Sequence, residues 1–281
     1  MVVGVMNIKE SEQLKRTHPQ HGVVDRVNEN LGGGRGCYIG LLMAYPIIES
    51  WLSSRLLYFF PAPTSLALRC SRFKVGKIRR VDFIYINAAM TVQMLVDMFE
   101  IKGMVNYGIA GSANDCSSLG DVSIPRYLAF PGSWNWKLYT SASSGQTMQE
   151  VFGLPVEPTW FSLASRIKDV ELVGCADQAY CLAEVPAVVY GLRCFTAHIF
   201  LDNAAYRQSL FTQFNVSTVD EESSAVVMAA ITNGVPCIEK WRSSTAAAGY
   251  PTSLAAVNVL TVAAHFIGLL GSGNHPFHLD G

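Results

Sequence analysis

The stretch Asn87–Asp115, NAAMTVQMLVDMFEIKGMVNYGIAGSAND, contains the change of rhythm that decides the fold. Its first half sets apolar residues at helical spacing. A helix is therefore expected over Ala88–Gly103, with Asn87 as N-cap and Gly103 just past the end. Its second half, MVNYGIAGSA, reads as a buried strand running into a Gly-rich loop. Small residues at that end of a strand let a ligand approach the backbone, which is where open α/β sheets bind their ligands.

The same alternation continues on both sides. YIGLLMAY (Tyr38–Tyr45) is a short apolar run stopped by Pro46, as expected of a buried strand. RCSRFKVGKIRRVDFIYI (Arg69–Ile86) holds two β-rich runs around Gly76 and predicts a hairpin, with Lys74, Lys77, Arg79 and Arg80 on its solvated face. GDVSIPRYLAF is a further strand region. Gly132–Cys194 reads as loop-rich and carries Trp134, Trp136 and Trp160. A strand through Phe195–Leu201, a helix from about Asn203 to Phe211, a second helix of small residues, the strand CIEKW (Cys237–Trp241) and a closing helix over Ser253–Leu270 complete the order. This predicts an α/β fold with a sheet covered on both faces. A polar, Gly-rich arm over residues 1–37, one domain over 38–271 and a tail over 272–281 are the expected divisions, with no internal repeat.

Composition narrows the function classes. Of 281 residues, half are apolar and 15% are charged, which suits a large core and argues against disorder. A formal net charge of −1 leaves no basic excess to neutralise phosphates, so no nucleic-acid or acidic-membrane partner is expected. The seven cysteines include no CxxC pair and no Cys/His spacing suited to zinc, so no metal is expected. Cys175 and Cys181 are either a bridge in a secreted chain or two buried thiols. The N-terminus lacks the long apolar core of a secretory signal. Leu254–Leu270, the most membrane-like run, is interrupted by Asn258 and His265 and reads as a buried helix. Asn215-Val216-Ser217 fits a glycosylation acceptor, a pattern common by chance.

TVDEESSAVVMAA (Thr218–Ala230) raises a sharper question. One acid near a helix N-terminus gains roughly 0.3–1 kcal/mol from the helix dipole, but three adjacent acids repel one another. Asp220, Glu221 and Glu222 therefore include at least one carboxylate beyond what capping needs. Gripping the hydroxyls of a sugar diol is the alternative role. GIAGSAND (Gly108–Asp115) is neither GxGxxG nor a P-loop, so no nicotinamide or ATP cofactor is indicated.

Taken in order, IGLLMAY, NAAMTVQMLVDMF, VNYGIAGSAND, SLGDVSIPRY, IFLDNAAYR, STVDEESSAVVMAA and WRSSTAAAG resemble the nucleoside phosphorylase superfamily, and within it the plant bark storage and wound-inducible proteins. The resemblance runs from about Tyr38 to Leu270. It implies one α/β domain with a mixed, partly barrel-like sheet. Active members cleave the N-glycosidic bond of purine nucleosides with phosphate or water, so phosphate becomes a possible co-substrate and no other cofactor is implied. It places Glu222 on the ribose hydroxyls and Asp220 at the first acid of the family motif. Phe200 and Leu201 then fall in the base-stacking segment, and Ala110 and Gly111 in the wall of the pocket. A homo-oligomer and a secretory or vacuolar destination are common among such relatives.

Several positions depart from the pattern. The acid that protonates the departing purine falls at Ala246, preceded by Thr245; alanine has no proton to give, and such help is worth roughly 10²–10⁴ in rate. Glu221 replaces the Met under the ribose, and a second charge there should raise the pKa of the pair or turn one group outward. Ile86–Ala88 leaves almost no loop between strand and helix. The early acid of nucleosidases is absent, with Tyr45 and Pro46 in its place and Glu49 displaced. His198 is either a substitute acid or a structural histidine. Three readings follow: a storage or stress protein with decayed chemistry, a working nucleosidase or phosphorylase, and a nucleoside-binding module without turnover.

Overall fold

The computed structural model describes residues 38–43, 58–59, 67–68, 71–72, 74–78, 81–87, 92–114, 118–129, 153–176, 178, 181–197, 201–244 and 252–272. The strands β1 (Tyr38–Met43), β2 (Tyr58–Phe59), β5 (Lys74–Ile78), β6 (Val81–Asn87), β7 (Ile101–Ser112), β8 (Val122–Ala129), β9 (Leu154–Pro155), β10 (Val188–Thr196), β11 (Thr218–Asp220) and β12 (Cys237–Ser244) form one ten-stranded mixed sheet. β3 (Ala67–Leu68) and β4 (Ser71–Arg72) pair separately. Along the sheet the order is β11-β10-β8-β12-β7-β1-β6-β5-β2, and β11 also pairs antiparallel with β7 through Thr218–Ser112 and Val219–Gly111. That extra pairing closes β7, β12, β8, β10 and β11 into a ring, so the sheet is a barrel on one side and an open wing on the other. This is the partly barrel-like α/β fold expected from the sequence.

Among the described residues five α-helices cover the strands: α1 (Val92–Met98), α2 (Pro158–Ala164), α3 (Ala204–Phe214), α4 (Ser223–Thr232) and α5 (Thr252–Gly271). Alternation along each strand divides the apolar side chains between the faces. Ile39, Leu41, Val105 and Tyr107 pack with Trp160 of α2 and the apolar side of α5. Tyr38, Leu42, Met104 and Leu128 pack instead with Leu95 of α1 and with Val226 and Val227 of α4. A third cluster sets Leu210 of α3 against Phe195 and Val219. Each such fully buried side chain contributes roughly 1.5–3 kcal/mol relative to exposure.

α5 is a core helix by this packing. Among the described helices it alone has the length and apolarity to cross a membrane, but 61% of the window Leu254–Gly271 is buried inside the protein. Its two polar interruptions have local partners. Asn258 lies at 0% exposure, accepting from Val173 N at 2.8 Å and donating to Val173 O at 3.0 Å. His265 Nδ1 lies 2.8 Å from Thr261 O within the helix itself.

Four local expectations are corrected. The hairpin around Gly76 has its turn elsewhere: Gly76 pairs with Phe83 and Phe59 in mid-strand, and the chain reverses between Ile78 and Val81. The helix expected over Ala88–Gly103 is described only as Val92–Met98, and Gly103 lies inside β7. Its glycine is required by packing, because a Cβ there would stand 2.1 Å from Cη2 of Trp160. Gly108 and Gly111 likewise belong to β7 rather than to a loop, paired with Trp241 and Ser244 of β12. Small residues there let β11, β7 and β12 crowd together where the ring closes.

The fourth correction concerns the strand expected over Phe195–Leu201. It is β10, begins seven residues earlier and ends at Thr196, because Val188–Val189 find β8 as a parallel neighbour. The loop-rich middle accordingly contains α2 as well. Pro158 opens that helix, and the Glu157 carboxylate accepts from Trp160 N. Residues 1–37 and 273–281, Trp134, Trp136, Arg79 and Arg80 lie outside the described residues.

Candidate active site

The acidic stretch lies where β11 ends and α4 begins, at the carboxyl end of β10. Its three acids have three different environments. Asp220, the last residue of β11, is 4% exposed. Its Oδ1 accepts from Thr196 Oγ1 at 2.6 Å, and its Oδ2 accepts from Ser223 Oγ. Thr196 Oγ1 in turn accepts from Ser224 N at 3.0 Å, one of the unpaired amides at the start of α4. The helix is thus capped across space: an amide donates to a hydroxyl, and the hydroxyl donates to Asp220. Ser224 Oγ adds a bond to Ala129 O at 3.3 Å.

Burial pushes the Asp220 carboxyl up to about 6. Hydrogen bonds from the Ser223 and Thr196 hydroxyls, the Ser223 amide and the Cys194 thiol hold it lower than burial alone would.

Glu221 is exposed. Glu222 is half-buried, occupies the N-cap position of α4 with φ −128° and ψ −30°, and makes no side-chain cap bond. Its carboxyl is pushed up to about 7, chiefly by burial, then by the charge of Asp220, and only third by Glu221. The sequence argument allowed either a raised pKa or one group turned outward. In the structure Glu221 faces solvent, and Glu222 is raised with desolvation as the main cause and Glu221 as a lesser one.

The remaining candidates divide. Gly111 is exposed at the end of β7, flanked by Val219 and Ser244, whereas Ala110 is 2% exposed and belongs to the core under α4. Leu201 is partly buried against the cluster formed by Phe195 and Leu210. Tyr45, Pro46, Glu49, Ala88, His198, Phe200, Thr245 and Ala246 lie outside the described residues. Sequence reasoning missed Thr196 and Ser223. Their signal was faint: two hydroxyl residues, one at a strand end and one after the acids, neither tied to a motif. Among the described residues no group of His, Cys, Asp or Glu is arranged to hold a metal.

A cavity of about 140 Å³ lies between Tyr127, Ala129, Gly153, Arg193 and Phe214, next to this corner through Ala129. None of the acids lines it.

The description "Phosphorylase superfamily" matches residues 85–259, more than half of the chain. The chain belongs to that superfamily. Within the phosphorylase superfamily it is similar to bark storage protein A of Populus deltoides, 28% identical over 251 residues that cover 73% of this chain and 79% of the relative. Its fold is that of the 5′-methylthioadenosine/S-adenosylhomocysteine nucleosidase from S. pneumoniae, solved with the transition-state inhibitor MT-ImmA. The TM-score is 0.61 at 18% identity, covering 83% of this chain and 99% of that one. The corresponding nucleosidase from Colwellia psychrerythraea 34H, in complex with adenine, gives 0.62 at 15% identity, covering 83% and 96%.

Proposed function

We propose that this chain is a storage-type member of the phosphorylase superfamily that keeps the sugar side of a purine-nucleoside pocket and has lost efficient cleavage of the N-glycosidic bond. The single observation carrying this reading is the residue at position 246. The superfamily pattern asks for a proton donor to the departing base, and this chain has Ala246. The described acids support it. Asp220 is committed to Thr196 and Ser223, and Glu222 lies at the helix N-terminus that the pattern assigns to the ribose. A carboxylate there would accept hydrogen bonds from two sugar hydroxyls and favour the positive charge that develops on the ring. Without a proton on the base, that charge cannot develop fully, because the leaving group would depart as an anion.

The test is direct. Pure protein is incubated with adenosine, inosine or methylthioadenosine, with and without phosphate, and free base is measured. Little or no base above buffer is expected, and Ala246→Asp is expected to raise turnover. Base released steadily by the wild type would reject the reading.

A second reading, an enzyme with a rearranged acid, is favoured by one observation: the Glu222 carboxyl, pushed up to about 7, is protonated in a sizeable fraction of molecules near neutrality. It predicts turnover that Glu222→Ala abolishes while the fold survives. Calorimetric titration with adenosine separates both from a pocket that binds nothing.

A further inference from the structure

We propose that the cavity under the C-terminal end of α3 is a binding site for a small aromatic carboxylate, separate from the acidic corner. Tyr127, Ala129, Gly153, Arg193, Phe214 and Val216 line it, around a volume of about 140 Å³.

Its position follows from strand register. Arg193 and Phe195 of β10 stand opposite Tyr127 and Ala129 of β8. Side chains two apart on a strand share a face. These four therefore point to the side that α3 covers, where Ala129 and Phe195 pack with Leu210 and Val216. Thr196, one residue beyond Phe195, points the other way and donates to Asp220. The cavity and the Asp220 network thus use opposite faces of β10. They share the backbone of Ala129, whose carbonyl accepts from Ser224 Oγ at 3.3 Å.

Charge selects the ligand. Arg193 is half-buried, and its Nη1 donates at 3.3 Å to Phe214 O, at the last residue of α3. That bond fixes the guanidinium at the cavity wall, on an acceptor that carries only the partial negative charge of a helix end. A second guanidinium, on exposed Arg126, has its Cζ 5.3 Å from the centre of the Tyr127 ring. Among the described residues no Asp or Glu lines the space. The wall is therefore positive, and a carboxylate matches the guanidinium fork with two parallel hydrogen bonds.

Shape selects the rest. The remaining wall is formed by the rings of Tyr127 and Phe214 and the methyls of Ala129 and Val216, which suit an aromatic ring. Volume limits the ligand to one ring, since an engineered cavity of about 150 Å³ takes up benzene. Gly153 is the exposed part of the lining, and its φ of +133° favours glycine, so this part of the rim carries no side chain. A benzoate-type monocarboxylate meets all three conditions.

The full chain, with the Cys175–Cys181 disulfide intact, is titrated with sodium benzoate at neutral pH by calorimetry and methyl NMR. Saturable one-site binding is expected, with ligand NOEs to the methyls of Ala129 and Val216. Benzamide, of the same shape without the charge, should bind at least about tenfold more weakly. Arg193→Met, which keeps a long side chain and removes the charge, should weaken benzoate at least about tenfold and bring it level with benzamide. A guanidinium that served only to close α3 would give no such dependence on ligand charge. Because that variant could unfold the end of α3, the wild-type NOEs and the benzamide comparison decide without it. Adenosine should not displace benzoate. Absence of saturable benzoate binding, equal binding of benzamide, NOEs confined to other methyls, or displacement by adenosine would each overturn the proposal.

Discussion

Two carboxylates are buried among the described residues, and their surroundings differ in kind. Asp121 sits at the foot of the disulfide loop, 7% exposed, accepting from Ser118 N and Ala187 N at 2.9 Å each. Both donors are backbone amides with no other task, and the loop beyond them is pinned again by Asn258 and by the disulfide. Gly120, at φ +100°, lets Leu182 lie 2.5 Å from where a Cβ would stand. Asp220 is buried as deeply, but its donors are chiefly side chains, the Thr196 and Ser223 hydroxyls and the Cys194 thiol, beside the Ser223 amide. Two residues later Glu222 is left without a cap bond. The loop clasp is a closed account of donors and acceptors. The acidic corner is closed around Asp220 and open at Glu222. An acid with every partner supplied is structural, and one held half-buried with a single backbone partner at Glu221 keeps acceptor capacity for something that arrives.

The sharpest way to break this contrast is to empty each centre. Asp220→Ala removes the acceptor for two buried hydroxyls and loosens the cap of α4, with an expected loss on the order of 3 kcal/mol in urea unfolding. Asn258→Ala strips both hydrogen bonds from Val173, with about 2 kcal/mol expected and the largest gain of amide exchange in residues 171–187. Opening the disulfide, which spans a sequence separation of 6, is expected to remove about 2 kcal/mol or less by loop-closure entropy and to leave nucleoside binding unchanged. If Asp220→Ala were no worse than Glu222→Ala, the division between a locked and a waiting acid would fail.

Much of this arrangement was legible in the residues. The apolar run at Tyr38 and the stretch GDVSIPRYLAF marked β1 and β8 as strands, and Asn203, whose side chain accepts from Tyr206 N at 2.9 Å, marked the start of α3. What failed was whatever depended on a distant neighbour. Gly103 looked like a helix end because its true reason, the ring of Trp160, lies 57 residues away in sequence. Gly111 looked like a loop because ring closure by β11 is a long-range pairing. The acids were recognised as a group but not ranked: three neighbouring carboxylates give no local clue as to which will face Thr196. Asn258, read as an interruption, is a partner for a loop about 85 positions earlier.

The pH dependence separates the two acids more finely. Asp220 and Glu222 have folded pKa values of about 6 and about 7, above the ordinary carboxylate range of about 4 in the unfolded chain. Between those limits the folded state binds more protons than the unfolded state, so stability falls as pH rises. The stabilisation is fully present below about pH 4 and is lost as pH passes through about 6 to 7. Asp220→Asn keeps an acceptor for Thr196 but removes the titration, so unfolding free energy measured from pH 4 to 8 should flatten relative to wild type. A wild-type curve that rises across this window would contradict the burial argument for both groups.

The smallest expected effect belongs to the third acid. Glu221→Gln should change stability by no more than about 0.5 kcal/mol, as for other exposed positions. It should lower the pH midpoint of any Glu222-dependent nucleoside binding slightly, because Glu221 is the weakest of the three influences that raise Glu222. Glu222→Gln should leave stability nearly unchanged at low pH, where both side chains are neutral, and abolish the pH dependence of binding. The comparison is made by titrating adenosine into each variant from pH 5 to 8. If Glu221→Gln moved the midpoint as far as Glu222→Gln alters the whole profile, the exposed acid would have to face the ligand, and the assignment of Glu222 as the acid gripping the sugar would pass to its neighbour.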